Sequence, residues 1–187
     1  AAAQAYLDAI ALEPSTELLY IINKITRTNK RLPYRNILKM TGGTLHLQHP
    51  IMKAIEAKAL IGLGQRRDAE RAMTSSWSEF KEGIKQGWIA PSMINVWFAD
   101  LTVLFADDPA AGEEFALQLV GENTTPEELI GLAGYWWEQD HKHIDRSLVF
   151  LDKVIEDSSI VGDARSEAML RRGAYLVEVG HYQEGAE

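Results

Sequence analysis

Two stretches far apart in the chain share one plan, and that plan restricts the fold more than any other feature. In IEAKALIGLGQRRDAERAM, a helical apolar segment with small residues at Ala57 and Ala59 ends at Leu63-Gly64, turns through Gln65 to Arg67, and restarts at Asp68-Ala69. In RRGAYLVEVGHYQEGAE, Gly173 and Tyr175 lie inside the first segment, Val179-Gly180 closes it, and Tyr182, Gly185 and Ala186 open the next. Glycine enters the left-handed region at low cost, so Gly64 and Gly180 both read as helix stops. A helix, a glycine stop and an immediate restart, met twice, predict a fold built from stacked helix pairs.

The opening AAAQAYLDAIALEPS supplies the other half of the unit. Ala2, Tyr6 and Ala9 are spaced four and then three residues apart on one helical face, and Pro14 ends the segment. Together these pieces resemble the tetratricopeptide repeat, a helix-turn-helix unit of about 34 residues. Other stretches follow it less closely. Ala99, Phe105-Ala106, Ala111 and Phe115 keep the family spacing; Gly134 and Trp137 fit a first helix, but Asp140 to His143 fill a turn where a glycine is expected, and one extra residue there shifts Ser147, Leu151 and Val154 into the second-helix pattern. TELLYIINKITRTNK aligns Leu18, Ile22 and Ile25 on one face, but its partner LPYRNILKM is short and TGGTLHLQHP reads as a loop. Repeat starts fall near 16, 51, 93, 128 and 167, more widely and variably spaced than the family period. The resemblance implies an all-α, right-handed superhelical solenoid of antiparallel helix pairs over 1–187, with about five units and partial units at both ends. A repeat needs neighbours to bury its apolar face, so the array is expected to be a fragment of a longer one.

Composition fits such a core, with 46% hydrophobic and 25% charged residues. No window approaches eighteen uninterrupted apolar residues, and the first fifteen carry Asp8 and Glu13, so neither a membrane span nor a signal peptide is expected. The absence of cysteine excludes disulfides, thiolate metal sites and a cysteine nucleophile, and it suits the cytoplasm and the bacterial periplasm alike. A net charge of −8 argues against nucleic acid as a partner. The charge is unevenly spread. Leu18 to Ile55 holds no acidic residue, while Lys24, Arg27, Lys30, Arg31, Arg35, Lys39 and Lys53 are positive; from Trp97 onward nineteen acidic residues face six basic ones.

In the family the first helix of each pair lines an inner groove. Carrying those inward positions onto this chain names Tyr20, Asn23 and Arg27, then Lys58, then Tyr135, Glu138 and Gln139, and finally Arg171, Ala174 and Glu178. Lys24 joins them because Asn23, Lys24, Arg27, Lys30 and Arg31 form one polar side of their helix, suited to a carboxylate-bearing segment or an acidic polysaccharide. An ordinary solvated helix face has the same pattern. Trp136 and Trp137 are adjacent and so cannot share a face; large aromatics at helical spacing are mostly core, yet one of the two is a candidate for a groove edge.

Other chemistry is weak. DHKHID places His141 and His143 near Asp140 and Asp145, but without helical zinc spacing or a remote ligand, so no metal is expected. The glycines of TGG lack the rest of a phosphate loop. Thr125 or Thr124 reads as the cap of a helix opening at Pro126, with Glu127 and Glu128 in its first turn. With no nucleophile-base pair and no cofactor motif, the expected role is a non-catalytic scaffold binding another protein or peptide segment. The alternatives are the periplasmic repeat part of an exopolysaccharide secretion machine, and self-association through the oppositely charged halves.

Overall fold

The computed structural model describes residue 5 and residues 16–28, 34–41, 49–139 and 143–181. Among them every regular element is helical and no strand occurs. In chain order these are α1 (Thr16–Thr28), α2 (Tyr34–Thr41), α3 (Pro50–Gly62), α4 (Arg66–Lys85), a 3-10 turn at Pro91–Met93, α5 (Ile94–Leu104), α6 (Pro109–Val120), α7 (Pro126–Gln139), α8 (Ile144–Glu156) and α9 (Asp163–Glu178). None of the described helices is long and apolar enough to cross a membrane. The readings at Ala2, Tyr6 and Ala9, at Gly42-Gly43, at Asp140 to Lys142 and from Tyr182 onward lie outside the described residues.

The chain falls into two compact units, Ala1–Ile89 and Ala90–Glu187. In the first, α3 packs against α1, α2 and α4. In the second, α7 packs against α5, α6, α8 and α9, while α8 also packs against α9. Helices therefore touch both the next element and the next but one.

Small residues make that closeness possible. Ala54, Ala57 and Ala59 of α3 are buried against Ala69, Ala72 and Met73 of the adjoining α4 core. Serine bonds join the α3–α4 and α7–α8 pairs as well: Ser76 Oγ on α4 donates to the Pro50 carbonyl at 2.8 Å, and Ser147 Oγ on α8 donates to the Ala133 carbonyl of α7 at 3.0 Å. A side-chain bond to a neighbouring backbone satisfies a polar group that burial would otherwise leave costly.

The glycine stops are as the sequence indicates. Gly64 has φ +77° and Gly180 has φ +90°. At the first, Gly64 N–H donates to Ile61 C=O and Gln65 N–H to Leu60 C=O; at the second, Gly180 N–H donates to Val177 C=O and His181 N–H to Leu176 C=O. This is the Schellman pattern, which closes the orphan carbonyls of a helix end. Gly87, with φ +79°, ends α4 in the same way. At the start of α7, Glu128 N–H donates to Thr125 Oγ1 at 3.3 Å and Thr125 N–H to Glu128 Oε2 at 2.7 Å, a reciprocal capping box.

The first helices begin at residues 16, 50, 94, 126 and 163, against the expected 16, 51, 93, 128 and 167. Their widest interval runs from 50 to 94, because α4 spans 20 residues and the segment from Gln86 to Met93 follows it before α5.

Candidate protein-interaction faces

In the first unit, α1 turns Leu19, Ile22, Asn23 and Thr26 inward. Tyr20, Lys24 and Arg27 fall on one stripe at spacings of four and three; Lys24 is exposed and the other two are half-buried. Neither Lys24 nor Arg27 has a carboxylate partner among the described residues, whereas Lys53 pairs with Glu56, Arg66 with Glu70 and Arg71 with Asp68. Among the described residues the positive stripe is thus left without a neutralising carboxylate.

Asn23 and Lys58, read from sequence as groove positions, lie beneath this surface. Lys58 is 1% exposed, and its ammonium donates to Asn23 Oδ1 and, at 3.3 Å, to the Asn23 carbonyl. The seam between α1 and α3 runs through Asn23, so both side chains serve the packing of the two helices and neither is open to a partner.

Tyr20 leads to two aromatic residues that the repeat pattern does not single out. Its ring meets His49 edge-on at 5.8 Å, and His49 meets Trp88 edge-on at 5.9 Å. His49 is also the N-cap of α3, its Nδ1 accepting the Ile51 N–H at 3.3 Å. Burial pushes its pKa below the ordinary histidine value. Protonation would turn Nδ1 into a donor and set a positive charge at the positive end of the helix dipole. Because the folded value is depressed, the unfolded chain takes up the proton first as pH falls. The associated stability is complete above about pH 6.5 and is lost as pH falls through that value. Glu79 works in the opposite sense: burial chiefly raises its pKa, with Lys53 opposing and Glu56 adding, so ionisation costs stability that returns as pH falls. Denaturation midpoints of wild type and His49→Asn, measured from pH 7.5 to 5.5, are therefore expected to diverge. Asparagine keeps a good cap without titrating, and the variant should lose less stability on acidification. Parallel pH profiles would exclude His49 as the titrating group.

In the second unit the adjacent tryptophans point opposite ways. Trp136 is core: its indole N–H donates to Glu113 Oε2, the Arg146 guanidinium lies 5.0 Å from its ring, and Arg146 pairs with the same carboxylate at 3.2 Å. Trp137 instead stacks flat on Tyr175 of α9, with ring centres 4.0 Å apart and planes 4° apart. Arg171 lies beside that stack. Its Nε and Nη2 both donate to Glu167 Oε1, at 3.0 and 2.7 Å, and its guanidinium reaches over Gly134 of α7. Burial chiefly raises the Tyr175 pKa, and Arg171 beside the hydroxyl opposes that rise. Glu138, Ala174 and Glu178 are exposed around this arrangement, so the sequence-named Glu138, Arg171, Ala174 and Glu178 share a surface built by α7 and α9.

Tyr135 does not belong to that surface. It is fully buried, its hydroxyl donating to the Pro109 carbonyl at 2.9 Å and lying 2.1 Å from where a Cβ on Gly112 would stand. The absent side chain at Gly112 opens the space that draws the Tyr135 ring under α6. Gln139 is half-buried at the end of α7, and its Nε2 is buried with no partner among the described residues. Of the histidine-aspartate turn, His143 rests edge-on against Trp136 at 5.3 Å. Among the described residues no three His, Asp or Glu side chains gather as a metal site would require.

No protein-family model matches the chain, and no match is found to it among curated proteins or solved structures.

Proposed function

We propose that the chain is a non-catalytic scaffold of tetratricopeptide-like helix pairs, holding a segment of a partner protein against the exposed side of its first helices. One observation carries this reading: within each unit the first helices pack side by side, α1 on α3, α5 on α7 and α7 on α9. Alternate-helix packing of this kind is what stacked helix pairs use to form a continuous binding surface. The side chains at that surface are of the types that bind protein segments, namely cations on α1 without a carboxylate partner among the described residues and, between α7 and α9, Arg171 beside half-buried Trp137, whose ring rests on buried Tyr175.

The test is affinity capture of the partner with three single-charge reversals. Arg27→Glu on α1 and Glu138→Lys on α7 are each expected to lower recovery at least tenfold. Lys153→Glu, on the exposed side of α8, is expected to leave it unchanged. Loss with Lys153→Glu alone would place the interaction on the second helices and overturn the reading.

A further inference from the structure

We infer that the aromatic corner of Tyr20, His49 and Trp88, with Lys24 and Arg27 alongside, docks an acidic peptide segment carrying one compact apolar side chain. This rests on the scaffold reading and names the ligand class for its first unit.

The corner is rigid and open at once. Trp88 is 51% exposed, whereas Trp77 and Trp97 are core. A lone exposed tryptophan is costly to order on binding if it is free to rotate, and this one is held. It follows the Schellman turn at Gly87, with its backbone N–H donating to Gly83 C=O at 3.1 Å and its indole N–H to Gln86 Oε1 at 3.2 Å. Its ring covers Gly83, where an added Cβ would stand 2.8 Å from Cζ2. His49 is fixed by its cap bond to Ile51. An exposed but pre-positioned aromatic is the usual anchor of a binding hot spot.

The shape selects against flat ligands. Tyr20 and His49 meet at 76° and His49 and Trp88 at 69°, so the rings form walls of a corner rather than a continuous platform. A corner receives a compact leucine-like side chain; a row of sugar rings is better served by coplanar faces. The charge then chooses the flanks. Lys24 and Arg27 follow Tyr20 on the same stripe of α1 without carboxylate partners among the described residues, and no acidic residue occurs from Leu18 to Ile55. Carboxylates on either side of the apolar anchor would meet those cations, with bidentate geometry available at Arg27.

The probe is a twelve-residue peptide with one central leucine flanked by glutamates and aspartates, titrated calorimetrically into the chain at 50 and 150 mM salt. Binding is expected at both and tighter at the lower. Trp88→Ala and the double variant Lys24→Glu/Arg27→Glu should each weaken it at least tenfold, with circular dichroism unchanged because all three side chains are on the surface. Changing the leucine to serine, or the acids to their amides, should have the same effect. Binding indifferent to both variants, or no binding at millimolar peptide, would overturn the inference. So would tighter binding of an acidic oligosaccharide, or a salt-sensitive dimer whose acidic second unit already covers the corner. Partner capture that still depends on Glu138 in any of those cases would show that the scaffold reading survives without this ligand assignment.

Discussion

Gly131→Ala is expected to destabilise the second unit by about 1–3 kcal/mol, while Gly134→Ala, three residues later in the same helix, is expected to leave it unchanged or stabilise it by up to about 1 kcal/mol. The substitution is the same and the helix is the same, so intrinsic propensity predicts the same gain at both positions. The difference lies in what each glycine faces. A Cβ at position 131 would stand 2.2 Å from Phe98 Cδ2 and 2.9 Å from its Cγ. Phe98 is itself fully enclosed, edge-on to Trp97 at 5.2 Å, and has nowhere to retreat. A Cβ at position 134 would meet only Arg171 Nη1, at 3.4 Å, an ordinary contact with the mobile end of a long side chain. Urea denaturation of the two variants measures the difference directly. Equal shifts of one sign at both positions would mean that the close approach of α5 to α7 does not exist in solution.

Gly134 and not Gly131 is the glycine that the repeat resemblance singles out, and this shows where sequence reasoning ran short. Helix positions and stops were legible because they rest on local chemistry. Glycine at Gly64 and Gly180 takes a left-handed φ, Pro126 opens a helix, and Thr125 with Glu128 forms a cap within four residues. Which small residue another ring presses on depends on the depth and angle of packing between helices distant in sequence. Phe98 and Gly131 are 33 positions apart, and nothing local to either announces the contact.

The candidate interaction faces divide along the same line. Lys24, Arg27, Glu138 and Glu178 follow from helical spacing and remain on the surface. Tyr135, Asn23 and Lys58 share that spacing and are buried, because a face defined by period alone includes the seam along which the next first helix packs. The opposite error is Trp88 and His49. Neither sits in a first-helix position: one follows the end of α4 and the other precedes α3, so an inward-position rule passes over both. Only their approach to Tyr20 brings them into the proposed docking corner.

Asn23→Leu is expected to cost about 3 kcal/mol and Lys58→Met about 1 kcal/mol, with the double variant more stable than Asn23→Leu alone. The order follows from which group each change strands. Lys58 brings an ammonium into a seam where it is 1% exposed, and Asn23 meets it with both its side-chain oxygen and its backbone carbonyl. Leucine at position 23 fills similar space but removes Oδ1, leaving a buried charge with less compensation, the most costly way to break such a pair. Methionine at position 58 removes the charge itself. Asn23 then loses a donor to Oδ1, while its carbonyl keeps the Thr26 hydroxyl, which donates to it at 2.8 Å. Replacing both partners by apolar groups removes the stranded charge and leaves a loss of about 2 kcal/mol, so the cycle should show a coupling of about 2 kcal/mol between the two sites. Equilibrium denaturation of the four proteins closes the cycle. Additive losses would show that the ammonium and the asparagine do not depend on each other. The buried apolar residues Leu19, Ile22 and Ile55 would then carry more of the packing beneath the Tyr20–Arg27 stripe than the bond between Lys58 and Asn23 does.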